Sequence, residues 1–339
     1  MRKSDYVKRW DNVFIFDKLL PLWFRKIVKI LIWLFDPFWY LLLFIGRLKY
    51  RYSCKQYYSS ICAIFKDESL SLKEWLEYHK LIGIDHVYLY NNNTTDSSLE
   101  VIKPYQECGY VTLINWPTPP PAQSQAYQHF RDHFWDQTNW VAFIDLDEYI
   151  CPKRVLDIRD WLKAYKGFPC VSIYWKMFGS SGIIAHDNSK LITEQYTIAW
   201  DKFNEIGKPI FNTRFEAVPA SLKNIHELPG RVKIFGRNFS IPPVNEFKYF
   251  TKFRCNRIGF RRSIDDFTIQ LNHYATKSYL EYFVKRRQRG DVNAFANNTS
   301  IKGYVYTQEF SIKADYTIFR FLPFLKVRMN PEKITNYFD

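Results

Sequence analysis

From Ser59 to Pro152, short apolar runs alternate with stretches of helical spacing. Ile61 to Phe65 and Trp140 to Ile144 are unbroken apolar segments of about the length of a buried strand. His86 to Tyr90 and Val111 to Asn115 predict two further strands. Leu70 to Leu81 puts Leu72, Trp75, Leu76 and His79 on one helical face, and Gly83 stops that helix. Asp96 or Ser97 caps a second helix that runs to about Glu107, with Gly109 beyond it. After the rigid loop Pro117 to Pro121, Gln123 to Phe134 reads as a third helix. Strands alternating with helices predict an α/β fold whose sheet is mostly parallel, with right-handed crossovers.

The flanks read differently. Val155 to Tyr165 predicts a helix, and Cys170 to Phe178 a strand followed by Gly179, Ser180, Ser181 and Gly182, small residues that permit close approach of a ligand. Near the amino terminus, Ile30 to Ile45 reads ILIWLFDPFWYLLLFI. Sixteen helical residues span roughly 24 Å, short of a bilayer core of about 30 Å, and Asp36-Pro37 interrupts the run. The pattern predicts two short helices in the membrane interface or a re-entrant hairpin, with a single span and a pair packed on the domain as the other arrangements. Tyr316 to Met329 mixes bulky apolar residues with Arg320, Lys326 and Arg328, the pattern of a second membrane-surface element or of a segment folded back on the domain. The expected organisation is a membrane-associated segment 1–58, a catalytic domain 59–295 and a carboxy-terminal extension 296–339.

Charge sharpens this picture. The chain of 339 residues carries a net charge of +14, which calls for an anionic partner. Residues 1–60 hold 12 Lys/Arg against 4 Asp, a net +8, so over half of the excess sits beside the apolar amino-terminal run. That placement favours an anionic membrane surface over nucleic acid, for which no binding module is legible. The cysteines show no metal-type spacing and are expected to be reduced, in a cytosolic setting.

The chemistry concentrates at Trp140 to Tyr149, WVAFIDLDEY. Three carboxylates follow a buried strand at once, and burying them demands a positive partner. Asp145 and Asp147 are two residues apart and point to the same side of an extended backbone. Two hard oxygen ligands suit a divalent cation that also holds a phosphate, and ligands of open α/β sheets sit past the carboxyl ends of the strands. No Gly-x-Gly-x-x-Gly follows the first strand and no P-loop is present, which removes the usual dinucleotide and NTPase cradles. A nucleotide held through a metal remains.

ICAIFKDES, EWLEYHKLIGIDHVYLYNNNTTDSS and FIDLDEY together resemble glycosyltransferase family 92 and related family 2-like enzymes of the GT-A fold. The resemblance runs from about Ser60 to Gly290. It implies a metal (Mn2+ or Mg2+) at Asp145 and Asp147, with His273 of the stretch LNHYATKSYLEYFVKRRQRG as third ligand and Lys277 on the diphosphate. It puts Asp67, Glu68, Asn91, Asp96 and Asp145 near the donor. Trp175, Gly179, Ser180, Ser181 and His226 would face the acceptor. His79 lies on the packed face of its helix and reads equally as a core histidine. The implied activity is inverting transfer of a hexose, of galactose or glucose type, from a UDP-sugar. Glu227, Asp187 and Glu216 are the candidates for the base, with Glu227 ranked first; the sequence does not fix it. Arg286, Arg287 and Arg289 read as a solvated helix face. With a basic, membrane-hugging amino terminus, the expected acceptor is a glycolipid such as a lipopolysaccharide core, or an oligosaccharide, at the cytoplasmic face. The rival reading is a membrane-anchored scaffold with a degenerate transferase domain.

Overall fold

The fold was analysed in a computed structural model, which describes residues 13–15, 22–48, 55–215, 226, 229–251, 262–285 and 301–330. In chain order the first half comprises β1 (Phe14–Ile15), α1 (Leu22–Leu48), β2 (Tyr57–Phe65), α2 (Ser69–Leu81), β3 (His86–Asn91), α3 (Ser98–Glu107), β4 (Val111–Asn115), α4 (Ala122–His133) and β5 (Thr138–Phe143). There follow β6 (Glu148–Pro152), α5 (Ile158–Lys163), β7 (Cys170–Met177), α6 (Ile192–Gln195), β8 (Ile198–Trp200), β9 (Phe203–Asn204) and β10 (Gly207–Asn212). The hairpin β11 (Gly230–Ile234) and β12 (Arg237–Ile241), then β13 (Ile269–His273), α7 (Ile301–Phe310), β14 (Ser311–Ala314) and α8 (Leu322–Met329) complete it.

One eight-stranded sheet, ordered β4-β3-β2-β5-β10-β7-β13-β6, organises the chain. Strands β4, β3, β2 and β5 are parallel, with Ile61 opposite both Val87 and Ala142. Alternation along β2 separates two faces. Ile61, Ala63 and Phe65 pack with Leu72, Trp75 and Leu76 of α2, while Cys62 and Ile64 pack with Ala126, Tyr127 and Phe130 of α4. Both faces of β2 are covered there, which is why Ile61 to Phe65 is apolar throughout. Cys62, Cys151 and Cys170 are buried free thiols.

The far half departs from the parallel pattern. β10 inserts antiparallel between β5 and β7, β13 lies parallel to β7, and β6 closes the edge antiparallel to β13. Gly207 is required for the insertion, because a Cβ there would sit 1.8 Å from the Ile173 carbonyl oxygen. The strand ends at Asn212, and residues 216–225 lie outside the described set. The expected helix 155–165 contracts to α5.

The amino-terminal expectation changes most. Phe14 and Ile15 pair in parallel with Phe203 and Asn204, and the Phe14 ring meets Tyr174 edge-on at 4.7 Å, so residues 13–15 belong to the domain body. In place of two short helices, α1 runs unbroken through Asp36-Pro37 for 27 residues. Proline is tolerated because Pro37 and Trp33, whose carbonyl would otherwise receive the missing N–H, both lie on the solvent side. The carboxy-terminal part of α1 docks on the hairpin. Leu43 is fully buried, the Arg47 Nε donates to the Gly167 carbonyl at 2.6 Å, and Gly46 lies against Val232. Ahead of Asp36 every described side chain of the helix is exposed, Trp23, Ile27, Ile30, Trp33 and Leu34 among them. Among the described residues no helix is long and apolar enough to cross a membrane. The carboxy-terminal extension folds back on the domain: Ile318, Phe321 and Leu325 are buried, and Lys73 of α2 donates to the Met329 carbonyl.

Candidate active site

The site forms where β5 ends. Phe143 is its last residue, Asp145 follows, and the chain turns through an Asp145 carbonyl to Glu148 N–H bond of 3.1 Å into β6. This turn is held from the far half of the sheet. Tyr274 N–H donates to the Asp147 carbonyl at 2.8 Å, and His273 stands opposite Glu148 in the β13–β6 register.

Each carboxylate has a distinct partner. Asp145 accepts from the Gln123 Nε2 at 2.6 Å and from the Lys208 Nζ at 2.9 Å. Glu148 is fully buried; it accepts from the Asp145 N–H at 2.9 Å and from the Trp175 Nε1 at 2.7 Å, and lies 3.6 Å from the Lys208 Nζ. Asp147 Oδ1 lies 3.5 Å from the His273 Nε2. Burial pushes the Glu148 carboxyl up, to about 7, against the pull of Lys208. Burial alone would lower the Lys208 pKa, but Asp145 and Glu148 outweigh it and hold the ammonium above the usual lysine value. His273 behaves likewise: burial opposes its charge, and Asp147 raises its pKa overall.

Trp175 joins the two sides. Its ring lies 4.6 Å from that of His273 and 4.9 Å, edge-on, from that of His226. Its N–H is committed to Glu148, so its first role is to hold that carboxylate. His226 places Nδ1 3.2 Å from the Gly207 carbonyl oxygen, and burial lowers its pKa to about 4, so the ring is neutral near pH 7.

The second group of expected donor residues lies at the ends of β2 and β3. Lys277 Nζ is 3.4 Å from Glu68 Oε2, which joins the two residues as an ion pair. Lys277 and Asp67 both have left-handed backbones, with φ of 47° and 51°. For Asp67 the cause is local: its Oδ1 accepts from the N–H groups of Thr95 and Asp96. Asp96 in turn accepts from the Ser69 and Ser98 N–H groups, and Asn91 Oδ1 accepts from Thr94 N–H. Asp67, Asn91 and Asp96 thus build the loop walls through backbone amides.

The other expected site residues that are described each have partners within the fold. At Gly179 a Cβ would meet Ser311 Oγ at 2.6 Å and Gln308 Oε1 at 2.7 Å, so packing against the chain's own carboxy-terminal segment accounts for a glycine there. Ser180 is buried, its N–H and hydroxyl donating to Gln308 Oε1. Ser181 Oγ accepts from the Thr197 and Ile198 N–H groups. Asp187 is an exposed turn residue whose carboxylate accepts from Ser189, which lowers its pKa and leaves it a poor base. Glu216, Glu227, Arg286, Arg287 and Arg289 lie outside the described residues. His79 is a core histidine: it is fully buried, Nδ1 lies 2.8 Å from the Trp75 carbonyl oxygen, and Nε2 accepts from Ile150 N–H.

Lys208 and Gln123 were not singled out from the sequence. The signal for Lys208 was present, since a lysine inside the apolar strand GKPIFN must meet a carboxylate. Gln123 left no comparable mark.

Among the described residues, no three His, Cys, Asp or Glu side chains are gathered closely enough to enclose a divalent cation. Asp147 and His273 are adjacent, the His273 Nδ1 is buried without a hydrogen-bond partner, and Asp145 is turned toward Lys208. A cation of the magnesium type is ordinarily held by one or two carboxylates together with phosphate oxygens and water, with no closed protein cage. The residues present fit that mode.

A carboxylate turn at the carboxyl end of a sheet strand, faced by lysine and histidine side chains, defines an α/β protein with a site for a charged ligand. The family model for glycosyltransferase family 92 matches residues 55–234. The chain therefore belongs to glycosyltransferase family 92, as its motifs had implied. Relatives include family 92 proteins of Ricinus communis, 26% identical over 200 residues (56% of this chain, 35% of that protein), and of Oryza sativa subsp. japonica, 29% identical over 110 residues (32% and 19%). An Arabidopsis thaliana family 92 protein is 24% identical over 147 residues (43% and 21%). The chain thus spans about a fifth to a third of the length of these curated relatives. Among solved structures, S. aureus TarS 1-349 aligns with a TM-score of 0.33 at 15% identity, covering 47% of this chain and 48% of that one. The same protein in complex with UDP-GlcNAc gives 0.32 at 14% identity, covering 50% and 51%.

Proposed function

We propose that this chain is a metal-dependent, inverting glycosyltransferase of GT-A architecture that moves a hexose from a UDP-sugar to a membrane glycolipid or oligosaccharide. One observation carries the reading: three carboxylates at the end of β5 are met by side-chain groups from α4, β10, β7 and β13, with the Asp145 N–H also donating to Glu148. Such a balance can be re-partitioned when a ligand of mixed charge arrives. Asp147 and His273, with Asp145, would hold Mn2+ or Mg2+. A cation bound there supplies positive charge to the diphosphate as the nucleotide departs.

The chain's own residues supply the rest. Lys277, beside Glu68 and held in a left-handed backbone, would meet diphosphate oxygens. Asp67, Asn91 and Asp96 shape the donor-side wall. Trp175 keeps Glu148 oriented and screens it from water. The base that takes the acceptor proton is sought at Glu227 and Glu216.

For location, the reading rests on α1. Its outward side is apolar and aromatic, Lys26 and Arg47 flank that side, and the surrounding segment carries a net +8 from 12 Lys/Arg and 4 Asp. Aromatic and basic residues on one helix suit the interface of an anionic membrane at the cytoplasmic face. Sedimentation with phosphatidylglycerol vesicles at low salt tests this; protein left in the supernatant rejects the membrane part alone.

The donor reading is tested by calorimetric titration of UDP, with and without Mn2+, into wild type and Asp147→Ala. Metal-dependent binding that weakens by about 100-fold or more in the variant supports it. Absence of UDP binding by the wild type under both conditions rejects it and leaves a membrane-bound scaffold.

A further inference from the structure

Lys208 enters the reading so far only as a counter-charge, yet among the described residues it is the most deeply placed cation of the site. Its side chain is 1% exposed, its Nζ lies 2.9 Å from Asp145 Oδ2 and 3.6 Å from Glu148 Oε2, and β10 fixes its backbone between two neighbours. The preceding Gly207 sits hard against the Ile173 carbonyl, and Pro209 follows, so the main chain at Lys208 has little room to shift. What remains adjustable is the long, flexible side chain.

The second oxygen of Asp145 is also engaged, by Gln123 at 2.6 Å. Asp145 therefore presents neither oxygen unoccupied by a donor. A divalent cation approaching it must share or displace one donor, and it is repelled by an ammonium already seated on the same carboxylate. A nucleoside diphosphate changes that balance, because its oxygens supply both further metal ligands and a new anionic partner for the lysine.

On these grounds, and resting on the donor reading above, we propose that Lys208 is a resident counter-cation that holds Asp145 until metal and nucleoside diphosphate arrive together, making metal binding conditional on the donor. Lys208 is then a positioning residue: it acts through Asp145 and gates the order of assembly. The carboxylates stay oriented in the ligand-free protein, and a free divalent cation binds weakly on its own. By linkage, whatever the diphosphate adds to metal affinity the metal adds to diphosphate affinity.

The test is Mn2+ binding itself, read by electron paramagnetic resonance or calorimetry on the full chain, with no sugar transfer required. In wild type, saturating UDP is expected to tighten Mn2+ by on the order of tenfold or more. Lys208→Met is expected to bind Mn2+ alone on the order of tenfold more tightly than wild type, with the UDP coupling reduced by the same factor. Lys208→Arg keeps the charge and is expected to keep the wild-type coupling, which a merely structural role for the side chain would not require. A folded Lys208→Met that binds Mn2+ alone no more tightly than wild type overturns the proposal. Should that variant fail to fold, the wild type decides: equal Mn2+ affinity with and without UDP overturns it. UDP binding without such coupling rejects this inference only, whereas absence of UDP binding rejects the donor reading and this inference with it.

Discussion

Two groups of carboxylates face the same end of the sheet, and they are satisfied in opposite ways. Asp67 and Asp96, after β2 and β3, accept from the N–H groups of Thr95, Asp96, Ser69 and Ser98. Asp145, Asp147 and Glu148, after β5, are met chiefly by Lys208, His273, Gln123 and Trp175. Backbone amides cannot leave without unmaking the loop, whereas side-chain partners can turn aside. The first arrangement builds rigid walls. The second stores negative charge in a form that an incoming cation can claim, and burial raises the cost of leaving it unclaimed.

The sharpest way to break this contrast is Glu148→Ala. It strips one anion from a buried pair and leaves Lys208 half-compensated, so unfolding by urea should register a loss of about 4 kcal/mol. An acid titration comes next, because it separates both groups from a third contributor. Burial lowers the His79 pKa to about 3, below its unfolded value near 6.5. The neutral ring's contribution is therefore fully present above pH 6.5 and is lost as pH falls toward 3, about 3 kcal/mol of it by pH 4. His79→Gln should flatten that limb of the stability profile; an unchanged slope would return the acid sensitivity to the carboxylates. The smallest effect belongs to the walls: Asp67→Ala orphans N–H groups in a partly exposed loop, and a loss of about 2 kcal/mol is expected in the same urea experiment. Equal losses for Asp67→Ala and Glu148→Ala would erase the distinction drawn between the two groups.

The parallel half of the fold could be read from local pattern alone. Ile61 to Phe65, His86 to Tyr90 and Val111 to Asn115 lie inside β2, β3 and β4, and the helix from Leu70 is α2, because buried parallel strands and amphipathic helices each leave a periodic trace in their own residues. The other half depends on pairings between distant segments. That β10 runs antiparallel between β5 and β7 is determined by partners on either side and by the Gly207 contact, none of which marks the stretch itself. The site divides along the same line. Asp145 and Asp147 announced themselves by spacing, while Lys208 and Gln123 acquire meaning only once the sheet is assembled. Small residues at Gly179 and Ser180 are an ambiguous signal, since tight packing against Gln308 and Ser311 selects the same side chains as a ligand would. Asp36-Pro37 misled because a proline whose lost partner faces solvent interrupts a helix less than its average cost suggests.

The place of β10 also bears on how the protein is made. β5, which leads into the Asp-x-Asp turn, is flanked by β2, which precedes it in the chain, and by β10, which follows after β6 to β9. During synthesis from the amino terminus β5 therefore waits with one edge unpaired, a template for intermolecular pairing. A loop from Phe143 to Gly207 must close before that edge is covered, which slows this step relative to the helices and the β2–β3 unit. A nascent chain stalled ahead of Gly207 would carry the acidic turn without the lysine that neutralises it, and would be more prone to aggregate than one stalled after Asn212.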